Sequence, residues 1–353
     1  AMGYRYIGSK DKLASTIIRK IRRYNPDAHT IIDLMAGTGL FSLALRKQGY
    51  RVVASDVMTY SYHHLVVNLL LNSAPEFINV DEINNVKSTK NRYQKVLDYL
   101  NALPIQHGFF FEEFGPDGTP AAGCKPRMYF SAHNAGKIDS IREVIKTWHE
   151  DGKINDIEHS LLLHNLIMAA NDIANIAGTY GHFLSHFVQR ATEPIILAPI
   201  TFDQDNNILG HEIRRGYAED LAHELHGDVC YIDPPYIKRQ YAANYHILET
   251  IAREDEPEAI GVSGLRPWRD QYSNFCSKIN IRKSFEKIIT EINCNELFIS
   301  YSEDGLLSLE EMTSFLSKFG NLSIDKIKYK RFKSNKSKKS PFLEEYLFHL
   351  TKI

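Results

Sequence analysis

Apolar residues near the start of the chain recur at helical spacing, at Leu13, Ala14, Ile17 and Ile18, and the pattern ends near Asn25-Pro26. Thr30-Ile31-Ile32-Asp33-Leu34 then reads as a short buried strand, and Gly37-Thr38-Gly39 as the turn that follows it. Leu40 to Gln48 returns to helical spacing and is closed by Gly49. Arg51 to Asp56 is a second apolar strand, and a further helix closes at Asn68–Asn72. Strand, glycine turn, helix and strand in so short a span predict a βαβ unit, and so a parallel sheet covered by helices.

From about Pro75 to Thr201 the character changes. Glu112 to Arg127 is polar and rich in Gly and Pro, and two long helical patterns follow, over Lys137–His149 and Ile157–Ile176. Short apolar runs return at Glu212–Tyr217, Val229–Ile232 and Leu297–Tyr301, with strand-like segments at Ile324–Phe332 and Glu345–Leu350. About 125 residues is too long for a simple crossover. The expected organisation is therefore a split α/β domain, 1–75 with 205–353, interrupted by an insertion over 76–204.

Composition narrows this picture. The four cysteines (Cys124, Cys230, Cys276 and Cys294) form no CxxC pair, which argues against a disulfide framework or a zinc knuckle and suits the reducing cytoplasm. No apolar run reaches the ~18–20 residues of a membrane span. The formal charge of −1 conceals an uneven distribution. Eight of the 42 Lys and Arg lie between Lys326 and Lys339 with no acidic residue among them; the remaining 34 face 43 Asp and Glu. A basic segment thus offsets an acidic body.

Asp233-Pro234-Pro235-Tyr236 follows directly on the apolar strand Val229–Ile232. A stiff turn at a strand end explains the prolines but not the acid and the aromatic around them. A carboxylate at the C-terminal end of a strand lies where open α/β sheets bind ligands. Two prolines fix the backbone and remove its N–H groups, which leaves carbonyl acceptors, and the tyrosine supplies a flat face. Together they suit a planar group bearing an exocyclic amine. In Asp33-Leu34-Met35-Ala36-Gly37-Thr38-Gly39 the glycines allow close backbone approach, and Asp56 at the end of the next strand is placed for ribose hydroxyls. Nicotinamide-dependent enzymes share that layout, but Ser42 stands where their third glycine belongs, and the acid Asp33 suits an ammonium group better than phosphates. Tyr4-Arg5-Tyr6-Ile7-Gly8-Ser9-Lys10, taken alone, reads as an ordinary loop before the first helix.

Taken together and in this order, the three segments resemble the Dam-like, alpha-class DNA adenine-N6 methyltransferases, in which a WxGGK-like segment, a glycine motif and DPPY follow one another with a target-recognition insertion before DPPY. Arg239-Gln240-Tyr241, Tyr245–Ile251, Asn171–Asn175 with Gly178–Gly181, Lys137–Arg142 and the ending Glu345–Phe348 are similar to the FokI and NlaIII modification-methylase branch. The resemblance covers most of the chain and is weakest over residues 75–127. It implies a Rossmann-like α/β sheet dependent on S-adenosyl-L-methionine (AdoMet), with residues 76–204 as a helical and loop target-recognition insertion.

By the same resemblance, catalysis falls on Asp233, Pro234, Pro235 and Tyr236, and cofactor contacts on Tyr6, Lys10, Asp56 and Asp233, with Asp33, Ala36, Gly37 and Gly39 in the glycine motif. Tyr6 replaces a tryptophan, and Gly8-Ser9 a Gly-Gly pair. Asp220 is expected either to read the cofactor's adenine or to cap a helix. Arg239, Gln240, Tyr241, Lys333, Lys336, Lys338 and Lys339 become DNA-contact candidates; without a DNA substrate, a solvated loop is the default for the lysines. The implied partners are double-stranded DNA, at a short site containing ATG, and a cognate restriction endonuclease, with no membrane and no metal. His182 and His186 are four apart with no supporting carboxylate pattern, and Trp148 and Phe109-Phe110-Phe111 read as packing.

Rival activities fare unevenly. A cytosine-ring methyltransferase needs a nucleophilic cysteine, usually after proline, and no cysteine here follows one. Amino-cytosine methylation is chemically close, but Asp rather than Ser opens the motif. RNA or protein-amide methyltransferases usually carry Asn at the Asp233 position. A non-catalytic DNA-binding relative would have no need of Asp233, Tyr236, Gly37 and Gly39.

Overall fold

A computed structural model describes residues 7–202, 210–330 and 342–353, with side chains from residue 12 onward and excluding 329 and 330. The chain divides into two compact units, one made of residues 1–69, 205–240 and 271–353, the other of residues 70–204 and 241–270.

The first unit holds a seven-stranded sheet built from β1 (Thr30–Asp33), β2 (Arg51–Asp56), β3 (Glu212–Arg215), β4 (Val229–Ile232), β5 (Glu296–Ser302), β6 (Gly320–Lys330) and β7 (Phe342–Lys352). Their order is β3-β2-β1-β4-β5-β7-β6. The first five strands run parallel, and β7 is antiparallel to both β5 and β6. The strands β1, β2 and β4 are almost continuously apolar because both faces of the sheet are covered. On one face Ile31, Val52 and Tyr231 pack with Leu13, Ile17 and Ile21 of the Ile7–Tyr24 helix and Leu45 of the Leu40–Lys47 helix. On the other, Ile32, Val53 and Ile232 pack with Phe285 and Ile288 of the Ile281–Glu291 helix and with Met312. Each pair of neighbours along a strand thus feeds opposite cores, as the pleat requires.

Chain order reverses at β1: β2 and β3 lie to one side of it and β4 and β5 to the other. Open α/β sheets bind ligands at such a reversal, outside the C-terminal strand ends.

The second unit is mainly helical. Its long helices Ala132–Glu150 and Asp156–Asp172 match the two periodic stretches of the sequence, with altered ends. Ser131 caps the first through Asn134 N, and Asn155 and Glu158 form a reciprocal capping box on the second. The expected assignment of all of 205–353 to the split domain differs from the observed units, because residues 241–270 belong to the second. Arg142 donates to the carbonyls of Thr250 and Asp255, Asn244 O accepts from Tyr180 N, and the buried Arg127 guanidinium donates to the carbonyls of Val262 and Gly261. Such bonds satisfy an otherwise irregular segment.

Among the described residues no helix is long and apolar enough to cross a membrane. The four cysteines form no disulfide. Trp148 is buried and stacked on Tyr99, and Phe110 and Phe111 are buried, in line with packing roles.

Candidate active site

The turn after β1 is pinned to β2 by a continuous set of bonds. Ser55 Oγ donates to Leu34 O at 2.6 Å, Ala36 N to Ser55 O at 2.9 Å, and Gly37 N to Asp56 Oδ2 at 2.9 Å. Asp56 Oδ1 accepts from Met58 N. Gly37 and Gly39 adopt φ of 57° and 79°, left-handed values that suit glycine, and Gly39 opens the Leu40–Lys47 helix. Ala36 and Gly37 are half-buried, so this turn faces partly outward.

Asp33 ends β1 and is 1 % exposed. Ser42, on the following helix, donates its hydroxyl to Asp33 Oδ2 at 2.6 Å. Burial pushes the Asp33 carboxyl up to about 7; the Ser42 hydrogen bond opposes that rise, while the charges of Asp233 and Asp56 add to it.

Asp233 directly follows β4, the other neighbour of β1, and Leu34 N donates to Tyr231 O across the same junction. Asp233 and Tyr236 are half-buried and the prolines between them are buried. Tyr236 is held from two sides. Its carbonyl accepts from Leu306 N at 2.9 Å, and its ring meets Tyr301 edge-on, with centroids 6.2 Å apart. Gly305 lies so close to the Tyr301 ring that a Cβ there would sit 2.2 Å from it. Sequence reasoning missed Ser55, Tyr301, Gly305 and Leu306; the one available signal is that the loop 303–306 follows a strand end beside the site.

One sheet edge therefore carries Asp33, Ala36, Gly37, Gly39, Asp56 and the 233–236 turn. Other candidates are placed differently. Asp220 is 70 % exposed, lies in the first turn of the short Ala218–Leu221 helix and is 3.7 Å from Lys287. It is not the helix cap, a position that Tyr217 holds; Tyr217, immediately beyond β3 and Gly216, is half-buried. Gln240 is buried, and both ends of its amide bond the backbone of Ser273: Nε2 donates to the carbonyl at 3.1 Å and Oε1 accepts from the N–H at 2.7 Å. That amide is a loop clamp, which corrects its reading as a DNA contact. Arg239 is exposed, and Tyr241 is half-buried beside Tyr245. Tyr6, Lys333, Lys336, Lys338 and Lys339 lie outside the described residues, as does the side chain of Lys10.

In the second unit, donor atoms of His149, His159 and Glu254 lie within 4.8 Å of one another. The two rings are stacked, 3.7 Å apart and within 6° of parallel, so a single ion cannot lie in the plane of both. Their Nε2 atoms pair instead with Asp156 and Glu254.

Against this geometry, the family model for D12 class N6 adenine-specific DNA methyltransferases matches residues 6–315. The chain is 36% identical over 354 residues to the type II methyltransferase M.FokI of Planomicrobium okeanokoites, a match covering 99% of this chain and 52% of that protein. It is 31% identical to the type II methyltransferase M.NlaIII of Neisseria lactamica, over 98% of this chain and 99% of the relative. It is 32% identical to M.CviAII of Paramecium bursaria Chlorella virus 1, over 97% of each. The chain thus spans about half the length of the FokI relative and nearly all of the other two. A matched segment that takes in the glycine turn, Asp56 and the whole 233–236 turn places this chain in a family: it belongs to the D12 class of N6 adenine-specific DNA methyltransferases.

Proposed function

We propose that this chain transfers a methyl group from AdoMet to the exocyclic amino nitrogen of an adenine in double-stranded DNA. The observation that carries the reading is the Asp233-Pro234-Pro235-Tyr236 turn, set on β4 directly beside the glycine turn of β1. That amino nitrogen is a poor nucleophile because its lone pair is conjugated into the ring. The Asp233 carboxylate and the Pro234 carbonyl accept its two hydrogens, which localises the lone pair on nitrogen. The buried prolines keep those acceptors fixed, and Tyr236, braced by Leu306 and Tyr301, offers its face to the base. Catalysis is then positioning and preorganised electrostatics, with no covalent intermediate on the protein. A base inside a duplex must first be flipped out at a cost of a few kcal/mol, and stacking worth ~1–3 kcal/mol offsets part of it.

AdoMet, when bound, supplies an electrophilic methyl on a sulfonium. The residues present suit it: the turn Ala36–Gly39 allows close approach, Asp56 accepts ribose hydroxyls, and Asp33 offers a buried acid to an ammonium group. Tyr6 and Lys10 join this set on family resemblance. The second unit, residues 70–204 with 241–270, which contains the expected insertion 76–204, is assigned target recognition, and Arg239, Tyr241, Lys333, Lys336, Lys338 and Lys339 contact with DNA. An ATG-containing site rests on the sequence resemblance alone; the type II methyltransferase names of the relatives support a cognate restriction endonuclease, and the adenine-specific family favours adenine over cytosine as the target.

The test is incorporation of labelled methyl from AdoMet into unmethylated plasmid, followed by mapping of modified adenines. Asp233→Ala is expected to lose at least about a hundredfold in rate, with the fold intact by circular dichroism. Retained turnover in that variant sinks the mechanism, and label found in cytosine sinks the target assignment.

A further inference from the structure

Tyr301 lies one position before the end of β5, the strand beside β4, and is fully buried. The loop that follows, residues 303–307, folds over its ring, and all five backbone N–H groups of that loop are bonded. Glu303 N donates to Glu344 O at 3.1 Å, Asp304 N to Ser302 Oγ at 3.2 Å, and Gly305 N to Ser302 O at 2.9 Å. Leu307 N donates to the Tyr301 hydroxyl at 3.3 Å. The remaining one, Leu306 N, reaches out of the loop to the Tyr236 carbonyl. With its donors satisfied, the loop is held in this one conformation. Gly305 is what lets chain and ring lie so close. A Cβ there would sit 2.2 Å from Tyr301 Cε2, 2.6 Å from Cζ and 2.9 Å from the hydroxyl oxygen, and neither a buried ring nor a bonded loop yields that space cheaply.

We propose that Tyr301 and Gly305 are positioning residues for methyl transfer. The Tyr301 ring shapes loop 303–307, Gly305 lets the loop close on it, and the closed loop presents the N–H that fixes Tyr236. Pro235 stiffens the chain before Tyr236, and the bond from Leu306 N holds the chain after it. The Tyr301 ring, edge-on to that of Tyr236, adds a second hold on the aromatic plane. The inference rests on the methyl-transfer reading and deepens it: neither residue is given a contact with base or AdoMet, and both act through the side chain on which the base stacks. A tilt of that plane displaces the amino nitrogen from Asp233 and Pro234, so the loss falls on the chemical step rather than on binding.

The experiment is a double-mutant cycle on the whole protein, read by single-turnover methylation of a duplex carrying the mapped adenine site. Gly305→Ala is expected to slow methyl transfer about a hundredfold, the cost of a displacement on the order of 1 Å at a reacting group, with AdoMet affinity unchanged and the fold intact by circular dichroism. Tyr301→Phe, which keeps the ring and loses only the acceptor for Leu307 N, is expected to slow it by roughly two- to tenfold. In a Tyr236→Ala background Gly305→Ala is expected to cost nothing further, because the residue it acts through is gone. A duplex with 2-aminopurine at the target position supplies a second readout. Its fluorescence, quenched by stacking on Tyr236, is expected to rise in Gly305→Ala as it does in Tyr236→Ala, a change that a merely structural glycine does not produce. A wild-type rate in Gly305→Ala, or a loss that adds in full to that of Tyr236→Ala, overturns the inference and leaves the methyl-transfer reading standing. Failure of the unaltered chain to methylate any duplex overturns that reading itself.

Discussion

At Gly39 the backbone and the surroundings both forbid a side chain. Its φ is 79°, and an added Cβ would lie 2.8 Å from Asn68 Nδ2 and 3.0 Å from Leu65 Cδ2. Asn68 donates to Thr38 O, so displacing it loosens the turn that carries Gly37 and its bond to Asp56. A left-handed L-residue costs ~1–2 kcal/mol before any clash. Gly39→Ala is accordingly expected to lower unfolding free energy by about 2 kcal/mol in urea titration and to weaken AdoMet binding at the same time. Unchanged affinity would detach the turn from the cofactor. Residue types and spacing made this turn legible in the sequence, because a strand, two glycines and a second strand ending in Asp are all local. What was not legible depends on distant partners. Gln240 reads as an exposed polar residue until Ser273, 33 positions on, takes both ends of its amide. Asp220 is not the cap that one reading made it, because its place depends on where the short Ala218–Leu221 helix begins.

Among the elements, the start of the Phe109–Phe114 helix has no side-chain cap of its own from Gly108. Asp139, from the Ala132–Glu150 helix, accepts instead from the N–H groups of Gly108, Phe110 and Phe111 at 3.0, 2.8 and 2.8 Å. One buried carboxylate therefore satisfies three donors that the helix start leaves unpaired. Replacing Asp139 with Ala strands them, and at about 1–3 kcal/mol per unsatisfied buried group the expected loss is at least about 3 kcal/mol by urea denaturation. Asp139→Asn, which keeps a carbonyl acceptor, should recover part of it; equal losses in the two variants would show that packing, not hydrogen bonding, sets the cost. Periodicity located the long helices of this unit, and the aromatic run was legible as core. The cap was not, since it joins residues 28–31 positions apart. For the same reason the expected division differs from the compact units over 241–270: the ties of that segment to Arg127 and Arg142 reach back more than a hundred residues.

Across the whole molecule, the charge asymmetry acquires a direction from sheet topology. Glu296, at the start of β5, pairs with Thr351, and Ser302, at its end, with Glu345; β7 therefore begins at the C-terminal ends of the parallel strands. β6 ends at the same edge, where Lys330 pairs with Phe342. Lys328 and Lys330, the described members of the basic stretch nearest the end of β6, belong to that end of the strand; the lysines that follow lie outside the described residues. On the proposed reaction a polyanion approaches the C-terminal strand ends, and the lysines between β6 and β7 in sequence are the proposed contacts, a distribution that the net charge alone conceals. A protein that neutralises phosphates loses affinity linearly with the logarithm of salt concentration, by a slope of about 0.9 for each phosphate engaged. Neutral replacements at Lys336, Lys338 and Lys339 together are therefore expected to flatten that slope by about 2–3 for duplex DNA, with AdoMet affinity unchanged. Filter binding or fluorescence anisotropy across a salt series measures it directly. A slope that does not move makes the segment a solvated loop, and the positive charge that receives the duplex must then be sought on the exposed Lys238 and Arg239 just after the 233–236 turn or in the second unit.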